Sequence, residues 1–313
     1  MRVASVDIGT NSTRLLVADV DPAAGSVERE LARHSRVTRL GAGVDASGRL
    51  SEEAEGRVFQ TLSEYRAEID RYGCEGNIAV LTSAVRDAAN GREFAERVRE
   101  DFGLDARVLE GEQEAQLTFM GAMSGRERSR EPTVVIDVGG GSTEFVVGHD
   151  HTVGFHTSLN AGVVRMSERH IHTDPPTGEE LRELAEDVRG VFAGGLPADV
   201  RRSVAAGIAV AGTATSAASI DQQLDPYDPE RVDGYPLPLQ TVGELLGRLS
   251  AMGEAQRREV VGLNPDRAPT IVAGMIILGE AIAMFGLDRV EVSEHDILYG
   301  SALLAAGADG ELG

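Results

Sequence analysis

One short segment occurs twice in this chain, and that duplication constrains the fold more than any other feature. Residues 6–20 read VDIGTNSTRLLVADV, and residues 136–150 read IDVGGGSTEFVVGHD. Aligned without a gap, Asp7 meets Asp137, Gly9 meets Gly139, Ser12 meets Ser142 and Thr13 meets Thr143. Each copy is an apolar run ending in aspartate, a turn of glycine, serine or threonine, and a second apolar run, which is the pattern of a β-hairpin. The offset of 130 residues (137 − 7) is too long for a solenoid and about the size of one domain. The 313 residues therefore read as two related α/β halves.

The remaining periodicities fit two mixed sheets flanked by helices. In the first half, 27–40 has strand character and 51–71 places Val58, Leu62, Tyr65 and Ile69 at helical spacing. A buried-type strand is expected at 77–82, helices at 91–102 and 112–123, and a short strand at 107–109. The charged, aperiodic stretch 124–132 reads as a linker. In the second half, strands are expected at 133–137, 144–148, 153–159 and 204–210. Helices are expected at 178–193, 213–221, 241–252, 268–285 and 295–306, with Thr241 and Glu244 forming a capping box.

Charge and composition narrow the function. Thirty basic residues face 51 acidic ones, a net charge of −21, which argues against binding nucleic acid or an anionic membrane surface. All 30 basic residues are arginine, so lysine mechanisms such as Schiff-base chemistry or a Walker-type phosphate lysine are excluded. The single cysteine, Cys74, excludes an internal disulfide framework and paired CxxC metal clips. The N-terminus places Asp7 where a signal peptide would carry its apolar core, and the apolar run 271–279 stops at Glu280. A cytoplasmic location is expected.

The two glycine turns carry the chemistry. Glycines let backbone N–H groups approach an anion, and serine and threonine hydroxyls add donors. The residues 9–13 (Gly9, Thr10, Asn11, Ser12, Thr13) and 139–143 (Gly139, Gly140, Gly141, Ser142, Thr143) thus form a lysine-free phosphate cradle. A buried aspartate beside phosphate is costly unless a cation compensates it, which points to magnesium at Asp137, with Asp7 the second candidate. Glu144 follows the second turn directly, where Arg14 follows the first. The pairs His149/His151 and His170/His172 have metal-ligand spacing but read as exposed residues.

These motifs are similar to those of the actin, heat-shock chaperone and sugar-kinase superfamily, and within it to the exopolyphosphatase/guanosine pentaphosphate phosphohydrolase family. The resemblance rests on DIGTNSTRLL (Asp7 to Leu16), TSAVRDA (Thr82 to Ala88), LEGEQEAQLTFMGA (Leu109 to Ala122) and IDVGGGSTEF (Ile136 to Phe145). Weaker echoes are NAGVVRMSERH with DPP (Asn160 to Pro176) and AGTATSAA (Ala211 to Ala218). It implies two actin-like, ribonuclease H-like domains with mixed sheets and an active-site cleft between them. They would span 1–125, rejoined by the C-terminal segment 297–313, and 131–296. The implied activity is magnesium-dependent release of orthophosphate from the end of inorganic polyphosphate or from pppGpp.

Transferred onto this chain, the resemblance makes Glu114 the carboxylate that positions and deprotonates water, with Gln113 in place of a second glutamate. Arg86 would stabilise charge on the transferring group, with Arg14 and Arg92 as further phosphate contacts. Asp137 and Glu144 would hold magnesium directly or through water, and Glu144 would also serve as a catalytic residue, binding either the metal or the attacking water. Potassium as a second cation and a homodimer are compatible with the family. SEHDILYG (Ser293 to Gly300) departs from the family pattern, with Tyr299 in place of an arginine. Rival readings are a sugar-kinase-like phosphotransferase, which needs a base elsewhere, and a phosphate sensor, which has no need of Glu114 and Glu144. The net charge, with no further domain after Gly313 in the sequence, leads to an expectation of short substrates and distributive cleavage.

Overall fold

Both hairpins form, and each seeds a sheet. The computed structural model describes residues 1–126, 130–149 and 152–307. In the first copy, β1 (Arg2–Ile8) and β2 (Ser12–Asp21) pair antiparallel with Asp7 opposite Arg14. β3 (Ser26–Val37) continues the meander, while β4 (Gly76–Leu81) and β5 (Ala106–Val108) add in parallel on the other side, in the order β3-β2-β1-β4-β5. In the second copy, β6 (Thr133–Val138) and β7 (Thr143–His149) form the hairpin and β8 (Thr152–Leu159) its third strand. β9 (Ala206–Val210), β10 (Pro236–Pro238) and β11 (Arg289–Val292) complete the order β10-β11-β9-β6-β7-β8. Both sheets therefore run from three antiparallel strands into two parallel ones, so the sequence repeat is a repeat of topology, to which the second sheet adds β10 antiparallel to β11 at its edge.

Helices make the long returns that parallel strands require. α1 (Glu52–Tyr72) precedes β4, and α2 (Ser83–Asp87) and α3 (Gly91–Phe102) lead from β4 to β5. α4 (Gly111–Met123) follows β5. In the second half, α5 (Val163–His170) and α6 (Gly178–Gly195) lie between β8 and β9, and α7 (Ala211–Asp221) follows β9. α8 (Leu239–Ser250) and α9 (Ile271–Met284) separate β10 from β11, and α10 (Ile297–Ala305) closes the described chain.

The chain divides into two units, Met1–Glu127 with His295–Gly313, and Arg128–Glu294. His295 and Asp296, assigned from sequence to the second half, group with the first because they lead into α10. The alternation along β1 shows why that helix is needed. Ala4, Val6 and Ile8 pack with Val58, Leu62 and Tyr65 of α1, whereas Val3 packs with Leu16 and Ala18 of β2 against Leu298, Ala302 and Leu303 of α10. A sheet apolar on both faces must be covered on both. The second unit has its own core around Phe145, whose ring meets Phe192 edge-on at 4.9 Å and Phe285 at 5.7 Å.

Some local expectations need correction. α8 begins at Leu239, directly after Pro238, so Thr241 lies inside the helix and caps nothing. The hydroxyl-based box is at Thr177, where Glu180 Oε2 accepts the Thr177 N–H at 2.7 Å and Thr177 Oγ1 accepts the Glu180 N–H at 3.3 Å. Helix α5 and strands β10 and β11 have no counterpart among the elements expected from sequence, each being too short to establish a period. Part of the expected linker, His151 and the end of the C-terminal segment lie outside the described residues. Among the described residues no helix is long and apolar enough to cross a membrane.

Candidate active site

In each unit the glycine turn is closed by the same bond. The Gly9 N–H donates to the Ser12 carbonyl at 3.0 Å, and the Gly139 N–H donates to the Ser142 carbonyl at 3.0 Å. A following segment then straps each loop from behind. In the first unit, the Asn11 carbonyl accepts from the Thr38 and Arg39 N–H groups, and the Thr10 carbonyl accepts from Gly41. In the second, the start of α5 takes this role: Val163 N–H donates to Gly139 O at 2.9 Å and Val164 N–H to Gly140 O at 2.9 Å. Because C=O and the following N–H point oppositely across a trans peptide plane, drawing these carbonyls back turns the next amides forward. The amides so presented are those of Asn11 and Ser12, and of Gly140 and Gly141.

The hydroxyls behave differently from the expectation. Thr13 and Thr143 are fully buried; Thr13 Oγ1 bonds Thr38 Oγ1 at 2.9 Å, and Thr143 Oγ1 donates to Ala161 O at 2.6 Å. Ser142 Oγ donates to Glu144 Oε1 at 2.5 Å. These three hydroxyls bond to neighbouring groups of the protein and hold the loops in shape, which leaves the main-chain amides as the donors the loops present. Thr10 Oγ1 shares a 3.0 Å hydrogen bond with Ser83 Oγ, which ties the first loop to α2.

Helix α2 carries Arg86, and here the first unit brings two expected site residues together. Arg86 Nη1 donates to Glu114 Oε2 at 3.0 Å and to the Leu109 carbonyl at 3.0 Å. Glu114, in the first turn of α4, is 8% exposed. Gln113 acts locally, its Oε1 accepting the Glu110 N–H at 3.1 Å and so capping the helix that holds Glu114. Arg92 is exposed at the start of α3.

The register shows how the two hairpins differ. In the first, Asp7 and Arg14 are cross-strand partners, and Arg14 Nε and Nη2 reach Asp7 Oδ2 at 2.9 and 2.7 Å. Arg14 also donates to Asp296, the N-cap of α10, whose carboxylate accepts the Leu298 N–H. Asp296 is absent from the residues singled out by sequence, although SEHD directly precedes an apolar run where a cap is needed. Burial disfavours the charge on both acids. At Asp7 it prevails over Arg14 and the carboxyl is raised; at Asp296 it is outweighed by Arg14, Arg33 and the Leu298 amide, and the carboxyl is lowered. Arg14 thus bridges strand and helix, where the sequence led us to expect a phosphate contact.

In the second hairpin the corresponding pair is Asp137 opposite Glu144. Two acids directly opposite each other repel, so this position lacks the self-neutralisation of the first. Glu144 is held by two hydroxyls, Ser142 Oγ at 2.5 Å and Ser158 Oγ at 2.7 Å, both on Oε1. Its Oε2 lies toward the loop, 3.7 Å from where a Cβ on Gly139 would sit. Among the described residues no cluster of three or more metal-ligating side chains occurs. Magnesium commonly binds through one or two carboxylates and completes its shell with water and substrate phosphate oxygens, so this pair of acids fits it. His170 Nε2 pairs with Asp187 at 2.9 Å and His149 is exposed.

A family model described as the Ppx/GppA phosphatase family matches residues 16–304. The chain belongs to the Ppx/GppA phosphatase family. It is 36% identical to exopolyphosphatase 2 of Mycobacterium tuberculosis, over 98% of this chain and 99% of that one. Its fold superposes on the Aquifex aeolicus member of the family with a TM-score of 0.82 at 31% identity, covering 98% and 97% of the two chains. A crystal structure of an exopolyphosphatase-like protein matches with a TM-score of 0.88 at 33% identity over 96% of each chain. The two mixed sheets are therefore the two actin-like domains of this family.

Proposed function

We propose that this family member is an exopolyphosphatase that releases orthophosphate from the end of an inorganic polyphosphate chain. Membership of the family makes it a phosphoanhydride hydrolase. Polyphosphate as the substrate is supported by the relative called exopolyphosphatase 2, and the single geometric observation that supports hydrolysis is the ion pair between Glu114 and Arg86, the latter on the helix tied to the first glycine loop.

Hydrolysis of a phosphoanhydride needs a water placed in line with the leaving oxygen and a group to take its proton. Glu114 is the acceptor for that proton: a nearly buried carboxylate at the start of a helix, with one oxygen fixed by Arg86. Arg86 offers its fork to the equatorial oxygens of the transferring phosphoryl group while holding Glu114 in place. The forward-facing amides of Asn11, Ser12, Gly140 and Gly141 bind the phosphates without lysine. Asp137 and Glu144 would hold magnesium, which when bound supplies neutralising charge to phosphate oxygens. Arg14, engaged by two acids, fixes the first hairpin against α10.

The test is phosphate release from short and long polyphosphate, pppGpp and ATP, each with and without magnesium. Polyphosphate should be the preferred substrate, and magnesium should be required. Faster release from pppGpp would replace this reading with that of a pppGpp phosphohydrolase.

A further inference from the structure

The second glycine loop poses a problem that the first does not. Gly139, Gly140 and Gly141 are three residues without side chains, the sequence with the greatest conformational freedom and so the largest entropy to lose on ordering. The first loop has Thr10 and Asn11 at the corresponding places, and Thr10 is anchored through its hydroxyl. Nothing on the second loop's own middle residues can do this. Its fixation has to come from outside.

The start of α5 supplies it. Beyond the bonds from Val163 and Val164, the Arg165 N–H donates to Gly140 O at 3.3 Å, and the Arg165 side chain donates through Nε to Gly141 O at 2.8 Å. Gly162 lies against the loop so closely that a Cβ there would sit 2.4 Å from the carbonyl atoms of Gly140 and from Gly141 C. All three glycine carbonyls are thus held, two by α5 main chain and the third by one side chain. The first unit uses an arginine one layer further back: Arg57 donates to Thr38 O at 2.8 Å and Arg39 O at 3.3 Å, gripping the strap rather than the loop.

We propose that Arg165 is a positioning residue for the reaction, acting through the Gly141 carbonyl to hold the second loop's amides toward a bound phosphate. Rotation of the Gly141–Ser142 peptide would swing the Ser142 N–H away from the anion, and Arg165 opposes that rotation. The role belongs to its directed N–H rather than its charge. It rests on the reading of residues 139–142 as a phosphate cradle.

The test measures, on the full chain, the dissociation constant for inorganic orthophosphate and kcat/KM with short polyphosphate, alongside the thermal midpoint. Arg165→Ala should weaken orthophosphate binding about fivefold to tenfold, the range that one hydrogen bond of ordinary net worth allows. Its kcat/KM should fall at least as far. Arg165→Gln, which keeps an N–H donor but no charge, should recover part of the loss. A purely structural role would lower the midpoint and leave the dissociation constant of the folded protein unchanged, and that result overturns the proposal. Recovery by Arg165→Lys but not by Arg165→Gln also overturns it, since charge would then be what matters. A wild type that binds orthophosphate more tightly than Arg165→Ala, yet releases none from polyphosphate, would sink the proposed substrate and leave this role standing. A wild type that binds no orthophosphate removes both.

Discussion

At the scale of single residues, the two halves of the repeat have diverged at one cross-strand position. Arg14 neutralises Asp7, whereas Glu144 faces Asp137 as a second acid. Glu114→Gln keeps the shape of the Arg86 contact and removes the proton acceptor. Its turnover should fall by about 10²–10⁴-fold, with polyphosphate still bound, as steady-state and binding measurements would show. The Arg14 bridge predicts a pH dependence of stability. The Asp296 carboxyl is lowered by folding, so its contribution is present above the ordinary carboxylate range and is lost as pH falls through its folded value. Asp7 is raised, so ionising it in the folded state opposes stability as pH rises from its unfolded value toward its folded one. In urea unfolding, Asp296→Asn should therefore cost more than Asp7→Asn at neutral pH. The gap between wild type and Asp296→Asn should close as pH falls below about 4. A pH-independent gap would rule out this account of the bridge.

At the scale of elements, the helix bearing Glu114 is positioned by a backbone-to-backbone crossing. A Cβ on Gly121 of α4 would lie 1.9 Å from Asp296 O, and one on Gly300 of α10 would lie 1.9 Å from Leu117 O. Moving α10 away would uncover the apolar face of β1 and β2, and moving α4 away would uncover Ile78 and Val80 of β4, which pack with Leu117. Gly300→Ala should therefore cost about 1–3 kcal/mol, as overpacking does, and should also lower turnover because α4 shifts with Glu114 on it. Chemical denaturation and kinetics on the same variant would check both effects. The N-terminus of α6 offers a separate test. Glu180 accepts hydrogen bonds from the Thr173 hydroxyl and the Thr177 and His172 amides, which hold its carboxyl down at about 2. Its stabilising effect is present above the unfolded value near 4.5 and is lost as pH drops toward 2. Glu180→Ala should melt earlier than wild type at pH 7 and alike near pH 2.

At the scale of the whole molecule, the net charge is −21, and the substrate proposed above is a polyanion. Repulsion acts on every part of a long chain outside the cradles and is screened only beyond roughly 8–10 Å. The enzyme should therefore release its product after few cuts. Gels of partly digested long polyphosphate are expected to show a ladder of intermediates descending together; full-length chains coexisting with free phosphate alone would show processive action instead. Chelation by EDTA should abolish phosphate release, and Asp137→Ala and Glu144→Ala should each raise the magnesium concentration needed for half-maximal rate. If both variants titrate like wild type, these acids do not serve the metal.

The hairpins and most long helices were legible in the sequence, because alternation, helical spacing and turn chemistry are local properties of adjacent residues, whereas Glu114 was singled out only through the resemblance to the family. The ungapped alignment of Asp7 with Asp137 is matched by the registers of the two hairpins, since the turn length fixes the pairing of a hairpin. Gln113 was legible as a residue but not as a cap, because capping depends on where the helix starts. What tertiary structure alone decided is the use of each donor. Thr13 and Thr143 look like phosphate ligands in sequence, yet their hydroxyls turn inward because Thr38 and Ala161 are brought behind them. The Arg86–Glu114 pair spans 28 residues and the Arg14–Asp296 bridge 282, and no local pattern encodes which charge will meet which. The return of α10 to the first sheet has the same origin. Composition supplies an apolar helix and a strand apolar on both faces, but only packing brings them together, because burial is a demand of the whole chain and not of a segment.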